Sequence, residues 1–251
     1  MHLFRSLRLG ILIAILAALL AGSRAQAALL AYEPFDYPAN VQLVGRTNGF
    51  GFSTAWTNAG YDPRLRPFIM KSGALDYPGL AVQGTNCLNA SEYTGVAVVS
   101  RRLAAVPGDT NRVLYLSFLH RLERNTEYGS VVFGVGRGEE LSIGRSSHQR
   151  FSLVHRGGAN RVFSDTKSTE GETGFVVVKM ELQEGPDRIT LYVNPTPGES
   201  EPVRGAVKDD LDVQFADTIF LQSRAAWSVD EIRLGTTWAD VTPAAKSPPT
   251  N

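Results

Sequence analysis

The sequence predicts an all-β fold, a two-sheet antiparallel jelly-roll sandwich, on three observations. Short runs with period-two alternation recur along the chain, separated by Gly, Pro, Asn and Asp. No amphipathic segment of three helical turns appears after residue 28. About a dozen strands in one chain must hide their edges, and two packed sheets are the usual solution.

Taken in order, the chain opens with a targeting pattern. Arg5 and Arg8 give a positive start, Leu9–Leu20 is a continuous apolar run, and Ala25-Gln26-Ala27 offers the small-x-small site that signal peptidase reads. The run is shorter than the roughly 20 residues a membrane span needs. Residues 1–27 are therefore expected to be a signal peptide, residues 28–243 one sandwich domain and residues 244–251 (AAKSPPTN) a disordered tail. The expected address is secreted or periplasmic, with no membrane insertion after cleavage.

Leu29–Phe35 is the first strand pattern, and Asn40–Tyr61 is the longest stretch without one, which places it at the surface. Phe68–Met70, Leu80–Val82 and Val96–Arg102 are short strand candidates. Arg112–Leu122 is apolar on both faces, as expected in mid-sandwich. Gly129–Val135, Glu140–Gly144, Phe151–His155 and Arg161–Phe163 read as a meander. Val176–Leu182 and Arg188–Asn194 flank Gly185-Pro186-Asp187, turn chemistry that makes them an antiparallel hairpin. Its core face is expected to carry Val176, Val178, Met180, Leu182, Ile189, Leu191 and Val193, with Thr190 on the solvent side. Thr218–Gln222 and Val229–Leu234 complete the strands. Asp230 shares parity with Ile232 and Leu234, so it is expected to point inward and to pin a neighbouring loop through backbone N–H groups.

Removing Arg5, Arg8 and Arg24 lowers Lys+Arg from 25 to 22 against 25 acidic residues, a net charge near −3. Such a balance lacks the basic footprint of a nucleic-acid binder. Cys87 is the single cysteine, so no disulfide within the chain is available and the fold rests on its hydrophobic core. The 224 residues from Ala28 onward are enough to build one.

Candidates for chemistry are few. Cys87 lies in no local signature of a nucleophile, and His120, His148 and His155 lack metal-ligand spacing. Asp209, Asp210 and Asp212, with Asp217 nearby, concentrate carboxylates in an expected loop where calcium is a weak possibility, and a solvated acidic loop is the stronger reading. No catalytic or metal residue and no cofactor is assigned. For ligand binding, exposed rings beside planar polar groups suit a sugar. Trp56 and Tyr61, with Asn58 between them, and Trp227 near Gln222 and Arg224, are the candidates, against the plainer expectation that large aromatics cap a core.

The run LYVNPTPG (residues 191–198), the segment VDEIRLGTTWADVTP (residues 229–243) and the opening LAYEPFDYP (residues 30–38) carry a family resemblance. They resemble the paired strands, last core strand and start of the concanavalin A-like lectin/glucanase superfamily, in particular its laminin-G-like bacterial branch. That resemblance implies a concanavalin A-like sandwich and motifs that are structural. Its glucanases carry an E-x-D-x-x-E strand, which this sequence lacks; Glu139 and Glu140 are adjacent, Glu170 and Glu172 sit in a polar loop, and Glu181 and Glu184 differ by three. The expected function is a non-catalytic exported module that binds glycan or another extracellular ligand, with a polysaccharide or cell-envelope component as partner. The alternatives are an inert structural or adhesion domain of the envelope and a divergent glycan hydrolase or lyase.

Overall fold

The computed structural model describes residues 29–60, 62, 64, 67–90, 96–105, 112–124, 128–135, 140–145, 149–155, 160–224 and 226–246. Its strands are β1 (Leu29–Glu33), β2 (Thr57–Asn58), β3 (Phe68–Ser72), β4 (Asn86–Ala90), β5 (Ala97–Arg102), β6 (Val113–Leu122), β7 (Gly129–Gly134) and β8 (Glu140–Arg145). They continue as β9 (Arg150–His155), β10 (Val162–Lys167), β11 (Thr173–Glu181), β12 (Asp187–Val193), β13 (Ala206–Leu211), β14 (Thr218–Ser223) and β15 (Trp227–Gly235), before the single-turn helix α1 (Trp238–Val241). An eight-stranded sheet runs β13-β12-β11-β6-β15-β4-β3 with β1 also on β15; a seven-stranded sheet runs β10-β9-β8-β7-β14-β5-β2. The strand pairings are antiparallel, which makes a two-sheet jelly-roll sandwich.

The core lies between the sheets because each strand sends alternate residues inward. Leu114, Leu116, Phe118 and Leu122 of β6 share one apolar cluster with Val131 and Phe133 of β7 and Ile219 and Leu221 of β14. The hairpin has the register expected from its alternation: Val178 pairs with Leu191 and Met180 with Ile189, all within the core. A second apolar cluster covers the outer face of the eight-stranded sheet, where Leu75 and Leu80, with Tyr77 and Val82, pack on Leu119, Phe175 and Val177 beside Trp238 and Val241.

β15 explains how this cover is fastened. Glu231 takes φ 56° and the register against β6 slips between Asp230 and Arg233, so one residue is bulged. The bulge resets parity: Val229, Ile232 and Leu234 face the inter-sheet core, whereas the Asp230 carboxylate reaches the loop outside the sheet. Its inward parity with Ile232, expected from the sequence, is corrected by this extra residue. The loop-pinning role stands, since Asp230 accepts the Leu75 N–H at 2.9 Å and the Glu231 N–H at 2.9 Å. Glu231 accepts the Gln83 N–H at 2.8 Å, and Arg233 donates to the Ala81 carbonyl at 2.7 Å. Three positions of one strand thus hold the crossing loop.

Other expectations shift. Leu80–Val82 is part of that loop rather than a strand; Leu80 makes an isolated bridge to Ala244 and Ala81 donates to Pro243. Ala245 donates to Gly79, so the first residues of the expected tail are held by backbone hydrogen bonds; residues 247–251 lie outside the described residues. Asp209 and Asp210 belong to strand β13. The expected signal peptide, residues 1–27, also lies outside the described residues. Among the described residues, no helix is long and apolar enough to cross a membrane.

Candidate functional site

The hairpin's outer face sets three cross-strand rows. Glu181 lies opposite Arg188, Lys179 opposite Thr190, and Val177 opposite Tyr192. β6 extends the middle row, with Tyr115 opposite Lys179. After β12 the chain turns at Asn194, in the left-handed region at φ 56° that Asn tolerates, and returns over this face before β13 begins. Gly205 lies so close to β12 that a Cβ there would come 2.6 Å from Thr190 Cγ2. The result is an open groove of about 630 Å³, floored by Lys179, Thr190 and Tyr192 and walled by residues 201–205.

Glu201 organises the groove. Its Oε2 accepts the Tyr115 hydroxyl at 2.7 Å, its Oε1 accepts the Tyr192 hydroxyl at 2.6 Å, and Lys179 Nζ stands 3.3 Å from Oε1. Burial by itself would raise its pKa, but the two hydroxyls and Lys179 outweigh it and hold the carboxyl below its ordinary value. Both phenols are pushed up, by burial first and then by bonding to Glu201. Beneath them Trp238 meets the Tyr115 and Tyr192 rings edge-on at 6.0 and 5.3 Å and donates Nε1 to the Glu199 carbonyl at 2.9 Å. Lys179 Nζ also lies 3.4 Å from Glu181, and Arg188 Nε 3.6 Å from Glu181. A groove with ionised donors and acceptors on a rigid floor suits a hydroxyl-rich ligand.

Glu201, held below its ordinary value, lacks the raised pKa that a glycosidase's general acid needs. Sequence reasoning missed this site. The outward parity of Lys179, Glu181, Arg188 and Tyr192 was the available signal; the return of Glu201 over the hairpin was not local information.

The tryptophans expected at a ligand platform are core residues. Trp56 is 1% exposed, lies 6.1 Å from the Phe35 ring in a stacked pair, and donates Nε1 to Glu33 at 2.9 Å. Trp227 is fully buried, its ring stacked on His120 at 5.0 Å. Gly129 makes room for it, since a Cβ there would fall 2.4 Å from the indole. Neither indole offers a face to a ligand, because large rings gain most by leaving water. Tyr61 lies outside the described residues.

Glu33, fully buried, shows why Trp56 turns inward. Its carboxylate accepts Arg101 at 2.5 Å, Trp56, Tyr37 at 2.9 Å and the Phe35 N–H at 3.0 Å, and Arg101 also donates to the carbonyls of Thr47, Asn48 and Thr54. This saturated network ties the surface segment after β1 to the sandwich and leaves no polar group over for chemistry. Cys87 is buried and its thiol is pushed up to about 11, by burial first, which disfavours the thiolate at neutral pH.

The acidic residues weighed for calcium face protein partners. Asp210 pairs with Lys208 at 2.5 Å, Asp212 accepts the Gln214 side chain at 2.9 Å, and Asp217 pairs with Arg102 at 2.7 Å. Among the described residues, no three His, Cys, Asp or Glu side chains gather as metal ligands.

The outer face of the seven-stranded sheet carries two further rows. One runs Thr57, Ser100, Phe220, Val132, Ser142, Val154; the other Val98, Gln222, Ser130, Gly144, Ser152, Phe163. Their side chains are mostly narrow and neither row contains a carboxylate; the neighbouring row Arg102, Thr218, Gly134 ends on Glu140.

No family model matches the sequence, and no curated protein matches it. Among solved structures, the chain is similar to the endo-1,3-beta-glucanase from Streptomyces sioyaensis, at 8% identity and TM-score 0.49 over 85% of this chain and 98% of that one. It is similar also to the T. cruzi calreticulin globular domain, at 10% identity and TM-score 0.48 over 86% and 90% of the two chains. The VIP36 exoplasmic/lumenal domain in its Ca2+/Man2-bound form follows at 7% identity and TM-score 0.41, over 73% and 84%. At these values the fold rests on the sheet topology itself: a two-sheet antiparallel jelly-roll sandwich.

Proposed function

We propose that this chain is an exported, non-catalytic β-sandwich module of laminin-G-like type that binds a glycan or another extracellular ligand. The observation that carries the reading is the groove over β11 and β12, where an ionised Glu201, Lys179, Arg188 and Thr190 line one open cavity of about 630 Å³. That volume lies within the roughly 300–1,000 Å³ typical of small-ligand sites. Its charged and hydroxyl groups match sugar hydroxyls as both donors and acceptors. Export is supported by the Arg5/Arg8 start and the Ala25-x-Ala27 site, and no cofactor is proposed.

The test is a glycan-array screen of the exported protein, with and without calcium, after intact-mass measurement has shown Ala28 as its first residue. Glycan binding is expected, weakened about tenfold or more by Glu201→Gln while the melting temperature stays near wild type. A full-length chain recovered from membranes overturns export. An array without any hit, or equal binding by the variant, overturns the groove.

A second reading, an inert structural or adhesion module of the envelope, is favoured by two observations. The tryptophans at positions 56 and 227 are in the core, and the two middle rows of the seven-stranded sheet's outer face present mostly narrow side chains and no carboxylate. It takes first place if the array is blank.

A further inference from the structure

The groove has a charge excess that its internal pairs do not absorb. Lys179, Arg188 and Arg204 line it against Glu181 and Glu201. Lys179 lies between the two carboxylates at 3.4 and 3.3 Å, Arg188 stands 3.6 Å from Glu181, and each Glu201 oxygen accepts a tyrosine hydroxyl. The acidic groups are therefore compensated from within. Arg204 differs: it is exposed on the wall segment, and among the described residues no side chain pairs with its guanidinium. Beside it Val203 is fully exposed, an apolar surface at the rim of an otherwise polar groove.

We propose that the groove takes an acidic sugar, a uronate whose carboxylate is held by Arg204. The inference rests on the glycan reading above and narrows its ligand class. A guanidinium offers two parallel N–H donors that match a carboxylate, and a charge-assisted pair of this kind is stronger than a neutral hydrogen bond. Val203 packs against the C–H face of the ring, while Thr190, Lys179 and Glu201 on the floor and wall meet its hydroxyls. A neutral sugar uses the floor but leaves the free cation unanswered. Because the rim is open to solvent, the attraction weakens as salt rises.

The experiment is titration calorimetry of residues 28–251 with short oligogalacturonate, oligomannuronate and oligoglucuronate, each beside its methyl ester, at low and at 0.5 M salt (about a 4 Å screening length). At least one acid form is expected to bind tenfold or more tightly than its ester and to lose that advantage at high salt. Arg204→Gln should remove the preference for acid over ester while the melting temperature stays unchanged. Lys167→Gln, an exposed cation of β10 on the other sheet, should change neither. Equal binding of acid and ester overturns this proposal and leaves the glycan reading standing. Acid binding that Arg204→Gln does not weaken overturns it as well. Failure of every uronate overturns it too, and the neutral arms of the array then decide the broader reading separately.

Discussion

His120 places a titratable ring on the inward face of β6, in line with Leu116, Phe118 and Leu122. It is fully buried between Trp227 and Phe151, with Nε2 donating to the Gly129 carbonyl at 3.3 Å. Among the described residues, Nδ1 has no hydrogen-bond partner. Protonation places a proton on Nδ1 with nothing to accept it. Burial first, and then the charge of Arg145, push the pKa from 6.5 down to about 4. Between those values the unfolded chain binds more protons than the folded one, so stability falls as pH drops from about 6.5 to 4 and is regained above it. At about 1.4 kcal/mol per unit, this group contributes on the order of 3 kcal/mol to acid sensitivity. Thermal melts of wild type and His120→Gln across pH 7 to 4 should show a shallower slope for the variant. Parallel slopes mean that acid sensitivity lies elsewhere, for instance in Glu123 and Glu201, whose carboxyls are held below their ordinary value by their hydrogen-bond and charge partners.

At the scale of the element, the β11–β12 hairpin carries two faces with opposite duties. Ile189, Leu191 and Met180 enter the core, while Lys179, Thr190 and Tyr192 build the groove floor. Leu191→Asp buries an unpaired charge and forfeits roughly 2–5 kcal/mol of packing, so it should prevent stable folding. Thr190, which alternation assigns to the solvent side, is only 6% exposed because Gly205 crosses directly above it. The exposed outer position is Arg188, and Arg188→Ala should shift stability by no more than about 0.5 kcal/mol. Urea unfolding of both variants checks the register, and similar losses at the two positions contradict it. Strand β15 teaches the converse lesson. Its alternation reads as regular, yet the bulge at Glu231 places Asp230 on the same outer face as Arg233, where both hold the crossing loop.

At the scale of the whole molecule, the tryptophans expected at a ligand platform serve the core instead. Trp56 and Trp227 belong to the inter-sheet core, and each replacement by Ala should cost roughly 3–5 kcal/mol of stability. Trp238 supports the tyrosines that hold Glu201, so Trp238→Phe should disturb the groove more than the fold. Calorimetric melting set beside glycan titration separates the two. A Trp227→Ala protein that melts as wild type but loses ligand restores the sequence-based platform.

The sequence by itself determined the β class, the sandwich and the hairpin register, because period-two alternation is a local property and says which side chains share a face. It also determined that Asp230 needs backbone donors, since a carboxylate among apolar neighbours requires them wherever it points. Alternation does not say what lies opposite a face. That Trp56 turns toward Glu33, that Asp209 and Asp210 extend a sheet as β13, and that Glu201 returns over Tyr115 from 86 positions away were decided by tertiary structure alone. These contacts join segments far apart in the chain, and their energies depend on distances that exist only after the two sheets have packed.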